Sequence, residues 1–158
     1  GMDRVEFMLS ANPGESLKPL EKVASGGEMS RIMLAFKAIA ANADSIPTLI
    51  FDEIDTGISG HIAAVVGEKM VSIADNHQVL CVTHLPQIAA LADVHFMVQK
   101  QDDGQTTRTS LKRLEMEERY EYIARMMSGM EDSKLAYEHA RELITHSEEI
   151  KQKRRKNK

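Results

Sequence analysis

The chain has 158 residues, 42% of them hydrophobic, and a formal net charge of −4, which fits one domain with enough chain to bury a core. No apolar run approaches the ~20 residues of a membrane helix and nothing resembles a signal peptide, so no membrane partner is expected. The single Cys81, inside Val79-Leu80-Cys81-Val82, excludes an internal disulfide and reads as a small buried residue in a reducing cytosol. Aromatics are scarce and Trp is absent, so Leu, Ile, Val, Ala and the ten Met must fill the core. Charge is uneven: the tail 151–158 carries six Lys and Arg, leaving the body before it near −10. Gly1-Met2 reads as a cloning remnant, residues 3–150 as the domain and 151–158 as a disordered basic tail, one able in principle to touch nucleic acid.

In chain order, Val5-Glu6-Phe7-Met8-Leu9 suggests a strand leading into the turn Asn12-Pro13-Gly14. Met29, Ile32, Met33, Phe36, Ile39 and Ala40 recur at helical spacing, which predicts a helix over 26–43. Residues 48–52 form a short strand, apolar on both faces as in a covered parallel sheet. A second helix begins at Ser59, with Ile62, Val65, Val66, Met70 and Ile73 on one stripe, and ends near Asp75-Asn76. A buried-type strand over 78–83 follows, then a short helix opened by Pro86. Runs over 94–100 and 106–114 meet at Asp103-Gly104 as a hairpin. Helices follow from 115 to about 127 and, past Ser128-Gly129, from 133 to 149. Helices separating buried strands make this an α/β fold, a mostly parallel sheet with a β-hairpin and C-terminal helices.

Three stretches carry chemistry. Pro47-Thr48-Leu49-Ile50-Phe51-Asp52-Glu53 runs a buried strand straight into two acids, the way phosphate-transferring folds present a Mg²⁺ ligand. Alternation would separate the two carboxylates: Asp52 for the metal, Glu53 facing the nucleotide as general base for the attacking water. Ser25-Gly26-Gly27-Glu28 opens a helix. As local structure it is a capping box, but that leaves two glycines unexplained, each costing roughly 1 kcal/mol in a helix. They make sense where something must approach the backbone closely, and the bare N–H groups of a helix start attract phosphate. His84, just past the 78–83 strand, stands where ligands bind in such sheets and could bond a terminal phosphate. Asp55-Thr56-Gly57 reads as a turn with Ser59 capping the next helix, or as a site beside the acids. The other five histidines show no metal-ligand spacing, and no G-x-x-x-x-G-K-[ST] loop is present to hold phosphates.

These residues resemble the ABC-type ATPases: Ser25-Gly26-Gly27-Glu28 their signature motif, Leu49-Ile50-Phe51-Asp52-Glu53 their Walker B strand with its catalytic Glu, Asp55 their D-loop aspartate and His84 their switch histidine. The longer runs 22–31, 51–60 and 81–89 closely resemble the RecN family of bacterial DNA repair proteins, cousins of the SMC proteins, over roughly 5–143. The resemblance implies the C-terminal lobe of a head assembled from the two ends of one polypeptide, with the Walker A lobe and a coiled coil upstream. It implies ATP and Mg²⁺ as cofactors. The partners it implies are the N-terminal Walker A lobe, a second copy of the head joined in an ATP-dependent homodimer, and DNA through the full-length protein at the nucleoid. Asp52 would ligate the metal, and Glu53 and His84 would act on the nucleotide of their own head. Ser25, Gly26, Gly27 and Glu28 would cover the nucleotide of the second head, with Asp55 communicating across the interface. The fragment alone would be inactive. Two other readings are the equivalent lobe of a different ABC-type ATPase, such as a transporter subunit, and an interaction module without catalysis.

Overall fold

The computed structural model describes residues 2–10, 13–23, 25–40, 46–102, 106–129 and 133–156. In chain order these form β1 (Met8–Leu9), β2 (Lys18–Pro19), α1 (Leu20–Val23), α2 (Gly26–Ala40), β3 (Thr48–Phe51), α3 (Gly60–Ala74), β4 (Gln78–Cys81), α4 (Pro86–Ala89), β5 (Phe96–Asp102), β6 (Thr107–Arg113), α5 (Met116–Ser128) and α6 (Lys134–Lys156). The expected α/β lobe is there, built among the described residues from three two-stranded ladders. β1–β2 and β5–β6 are antiparallel; parallel pairing is confined to β3 and β4, in the register Thr48↔Gln78 through Phe51↔Cys81. The strand read over 5–9 shortens to Met8–Leu9. Asn12, the Asp103-Gly104 turn and the helix end expected at 43 lie outside the described residues.

Helices α2 and α3 cover one face of β3–β4. Alternation turns Leu49 and Phe51 inward, where they meet Leu34 of α2 and Ala63, Val66, Met70 and Ile73 of α3 around the fully buried Ile54. The opposite face is open: Ile50 is 70% and Val82 61% exposed, with Leu80 beside them. A strand read as covered on both faces is thus covered on one. The helices share this pattern. Leu34 and Ala38 of α2 enter the core, while Met33, Phe36 and Ile39 are exposed, as are Ile62 and Val65 of α3. At the chain start, Leu20 donates its N–H to the Phe7 carbonyl (2.8 Å), and the Phe7 ring packs on Phe36 with centroids 5.4 Å apart.

A second core joins α4, α5 and α6 through Ala89, Ala90, Ile123, Ala124, Ala136, Ala140 and Ile144. Helix α5 starts on a capping box, Glu115 with Glu118, and stops at Gly129, whose φ of 65 continues no right-handed helix. The inward stripe of α6 is Ala136, Ala140, Ile144, Ser147 and Lys151, which carries the helical period into the basic run. The tail expected to be disordered is therefore helical as far as Lys156. The reason is a set of ion pairs. Lys151, 5% exposed, holds Asp93 at 3.0 Å and Glu148 at 2.9 Å, and Arg154 holds Asp75 at 3.2 Å. Buried Arg119 of α5 donates to the Ala92 carbonyl at 2.8 Å, so both C-terminal helices are tied to the segment that follows α4.

Removing Lys151 leaves Asp93 and Glu148 free to rehydrate, since both reach solvent. Lys151→Ala is therefore expected to cost about 1–2 kcal/mol rather than the larger penalty of stranding a buried charge. Urea unfolding should show a lower midpoint at unchanged slope; an unmoved midpoint would mean that the pairs do not anchor α6.

Candidate functional site

β3 ends at Phe51, whose carbonyl accepts the Val82 N–H at 3.0 Å as the final bond of the ladder. Asp52 and Glu53 consequently lie in the loop just past the strand, not on it, and strand alternation does not set their directions. Asp52 turns its Oδ1 back to accept the Glu53 N–H at 2.9 Å. Glu53 itself takes a φ of 57, alone among the described non-glycine residues in having a positive value. That region costs an L-residue roughly 1–2 kcal/mol, a strain held at one of the two exposed acids. The loop then turns through the Thr56 N–H on the Glu53 carbonyl (3.1 Å) and the Ile58 N–H on the Asp55 carbonyl (3.4 Å). Ser59 occupies the N-cap position of α3 without a side-chain capping bond, so the cap expected of it is not made.

The first two turns of α2 dock onto this loop. Ser25 and Glu28 form the reciprocal capping box read from the sequence: the Ser25 N–H donates to Glu28 Oε2 (2.8 Å) and the Glu28 N–H to Ser25 Oγ (3.3 Å). Hydrogen bonding to Ser25 holds the Glu28 carboxyl below its ordinary value. One turn on, Ser30 Oγ donates to the Asp52 carbonyl at 3.0 Å. Arg31 Nη1 donates to the carbonyls of Ile54 (3.1 Å) and Thr56 (2.8 Å). The glycines fit here for want of space. A Cβ on Gly26 would stand 2.6 Å from Glu53 Oε2, and one on Gly27 2.9 Å from the carbonyl oxygens of Glu53 and Thr56. The close approach that the paired glycines suggested is thus made by the lobe's own acidic loop. The Glu53 carboxylate is the flexible end of a side chain and can withdraw; the two carbonyls are backbone and cannot.

Asp55 faces the β4 side and is 4% exposed. Its Oδ2 accepts the Thr83 hydroxyl at 2.6 Å and the His84 N–H at 2.8 Å, and lies 3.0 Å from His84 Nδ1. Thr83 Oγ1 in turn accepts the Leu85 N–H at 3.0 Å. Burial pushes the Asp55 carboxyl up, but the Thr83 hydroxyl, the His84 amide and the imidazole together outweigh it and hold the group below its ordinary value. The His84 side chain is 73% exposed. Burial, with Asp55 and Asp52 nearby, pushes the Cys81 thiol up to about 12, so it is no nucleophile.

The expected residues therefore fall into two groups on one loop. Gly26 and Gly27, in the turn capped by Ser25 and Glu28, meet Glu53 on one side, Ser30 bonds the Asp52 carbonyl, and Asp55 meets His84 on the other. Ser30, Arg31 and Thr83 were not singled out from the sequence. Thr83 was recoverable as the neighbour of His84; Ser30 and Arg31 showed only their place one turn past the glycines. Among the described residues no group of three or more His, Cys, Asp or Glu converges to hold a metal ion. Asp52 offers a single carboxylate, which suits an ion taking its other ligands from phosphate and water.

No family model matches the chain. It is 51% identical to the DNA repair protein RecN of Halalkalibacterium halodurans over 151 residues, 96% of this chain and 27% of that protein. It is 47% identical to RecN of Bacillus subtilis (96% of this chain, 26% of that one) and 46% identical to RecN of Streptomyces coelicolor (91% and 25%). The chain thus spans about a quarter of the length of the curated relatives it matches. A solved structure from work on ATP-driven dimerization and DNA-stimulated activation of SMC ATPases aligns with a TM-score of 0.47 at 20% identity, covering 77% of this chain and 80% of that one, a likeness too slight to argue from.

The hydrogen bonds on Asp55 have a consequence in acid. A carboxyl held below its ordinary value when folded adds stability above the unfolded value and loses it as pH falls through the folded one. The stability gap between the natural chain and Asp55→Asn is thus expected to shrink as pH is lowered from about 6 to about 2. A gap independent of pH would mean that the folded state does not depress this group.

Proposed function

We propose that the chain, which is similar to RecN proteins over nearly its whole length, is the C-terminal lobe of the ATPase head of a RecN-like protein acting in recombinational repair of DNA double-strand breaks. The observation that carries this reading is the open apolar face of β3–β4. Ile50, Leu80 and Val82 stand exposed there, beside a cavity of about 260 Å³ lined in part by Met29, Met33 and Ile50. An exposed apolar sheet face of this kind is a site for another layer of protein. The N-terminal lobe, with the Walker A loop that this sequence lacks, is the layer that would cover it.

In the completed head, ATP would bind against the loop after β3. Asp52 would hold Mg²⁺ together with the nucleotide phosphates; the ion, when bound, neutralises charge on the transferred phosphoryl group. Glu53 would orient and polarise the attacking water, which requires its carboxylate to swing away from Gly26. His84, exposed at the end of β4, would meet the terminal phosphate. The helix start at Ser25, Gly26 and Gly27 would present backbone N–H groups to the nucleotide of a second head, with Glu28 holding the cap in place. Asp55 is buried against Thr83 and His84, so it would communicate across that interface through the loop it anchors. ATP shared between two heads makes their closure depend on nucleotide and their release on hydrolysis. DNA would be engaged through the whole protein, in the cytoplasm at the nucleoid; no described helix is long and apolar enough to cross a membrane.

The chain alone is expected neither to bind ATP tightly nor to hydrolyse it. Micromolar affinity, or turnover by this lobe that Glu53→Gln abolishes, would overturn the split site. In the whole protein, Glu53→Gln should keep ATP binding, block turnover and trap closed heads. Ser25→Arg should prevent closure while each head still binds ATP; normal hydrolysis by that variant would remove the signature assignment.

A further inference from the structure

We propose that Asp55 is the positioning residue of His84, fixing the imidazole in the tautomer that carries its proton on Nδ1 and presents Nε2 outward as an acceptor. One oxygen of Asp55 takes all three contacts from this segment: the Thr83 hydroxyl at 2.6 Å, the His84 amide at 2.8 Å and His84 Nδ1 at 3.0 Å. A bare ring lone pair 3.0 Å from a carboxylate oxygen would be repelled, so this approach requires Nδ1 to carry the hydrogen of the neutral ring. The neutral ring is then bare at Nε2, on a side chain that is 73% exposed while its partner is 4% exposed. The backbone of His84 is held by the same oxygen as its ring, and Thr83 closes the arrangement by accepting the Leu85 N–H at 3.0 Å. Ring, main chain and the following turn are thus pinned to one buried atom, which sets the direction of Nε2.

The chemistry open to His84 follows from this. Neutral, it accepts a hydrogen at Nε2, as from a water. It donates at Nε2, as a contact with a phosphate oxygen demands, only as the imidazolium. Asp55 touches no substrate in this role; it acts through the ring that it orients. The catalytic consequence rests on the placement of His84 at the nucleotide under the proposed function, whereas the tautomer does not.

The test is ¹⁵N NMR of the histidine rings in this chain at a pH where they are neutral, with His84→Ala identifying the resonances. A protonated Nδ1 and bare Nε2 at His84 are expected, with the preference lost in Asp55→Asn, whose amide can face the ring with either its donor or its acceptor end. An Nε2-protonated ring in the natural chain overturns the proposal, and this spectrum decides even if Asp55→Asn does not fold. In the whole protein, Asp55→Asn is expected to lower kcat by about tenfold or more while leaving KM for ATP within about twofold. A kcat that falls in His84→Ala but not in Asp55→Asn overturns the positioning role. Turnover unaffected by either variant instead removes His84 from the ATPase reading, and the tautomer still decides whether Asp55 orients the ring.

Discussion

Arg31 reaches from the second turn of α2 to the carbonyls of Ile54 and Thr56, and Ser30 beside it bonds the Asp52 carbonyl. Hydrogen bonds from a charged donor contribute about 1.5–3 kcal/mol each, and with the Ser30 bond these two span the loop that carries Asp52, Glu53 and Asp55. They hold the loop against the helix start so closely that a Cβ at position 27 would meet the backbone carbonyls of Glu53 and Thr56. The left-handed Glu53 and the inward-facing Asp55 both lie within the clamped stretch. Helix start and acidic loop are therefore one body. Under the two-head reading, the surface that covers one nucleotide and the acids that act on another belong to that body, and displacement at one must be felt at the other.

The second constraint is what the lobe leaves uncovered. Parallel strands are normally buried on both faces, yet among the described residues β3–β4 has helices on one side only. The exposed Ile50, Leu80 and Val82, together with Met33, Phe36 and Ile39 of α2, form apolar surface that a complete single layer would not expose. Because the loop with Asp52 and Glu53 follows directly on the end of the same ladder, a layer docking on that face would also come close to the site. Covering the sheet and completing the phosphate-binding site would then be one event. The C-terminal helices take no part in this. Their own core and the ion pairs of Lys151 and Arg154 lock them to the segment after α4 and to the end of α3.

Much of this was legible in the sequence. The apolar runs and their spacing located β3, β4, the hairpin and the four longer helices, because periodicity reports which residues must share a face. Ser25 with Glu28 announced a cap, and the cap is there. Periodicity does not say which face another chain segment will cover, so the exposed stripe of α2 looked like any core stripe. Composition misled at the tail: a run of cations reads as solvated, but the spacing Ala140, Ile144, Ser147, Lys151 continues the inward stripe and could have revealed a buried lysine. The conformation of the acidic loop had no local signal, since a glutamate at φ 57 and an aspartate turned inward depend on partners more than twenty residues away, Arg31 and Thr83.

The relation between the open face and a missing lobe can be read directly by side-chain footprinting. Ile50, Leu80 and Val82 would be labelled in this chain alone and again in the whole protein. Strong labelling in the chain and protection in the whole protein are expected if the N-terminal lobe lies on β3–β4. Equal labelling in both would contradict a head built from two lobes across this sheet.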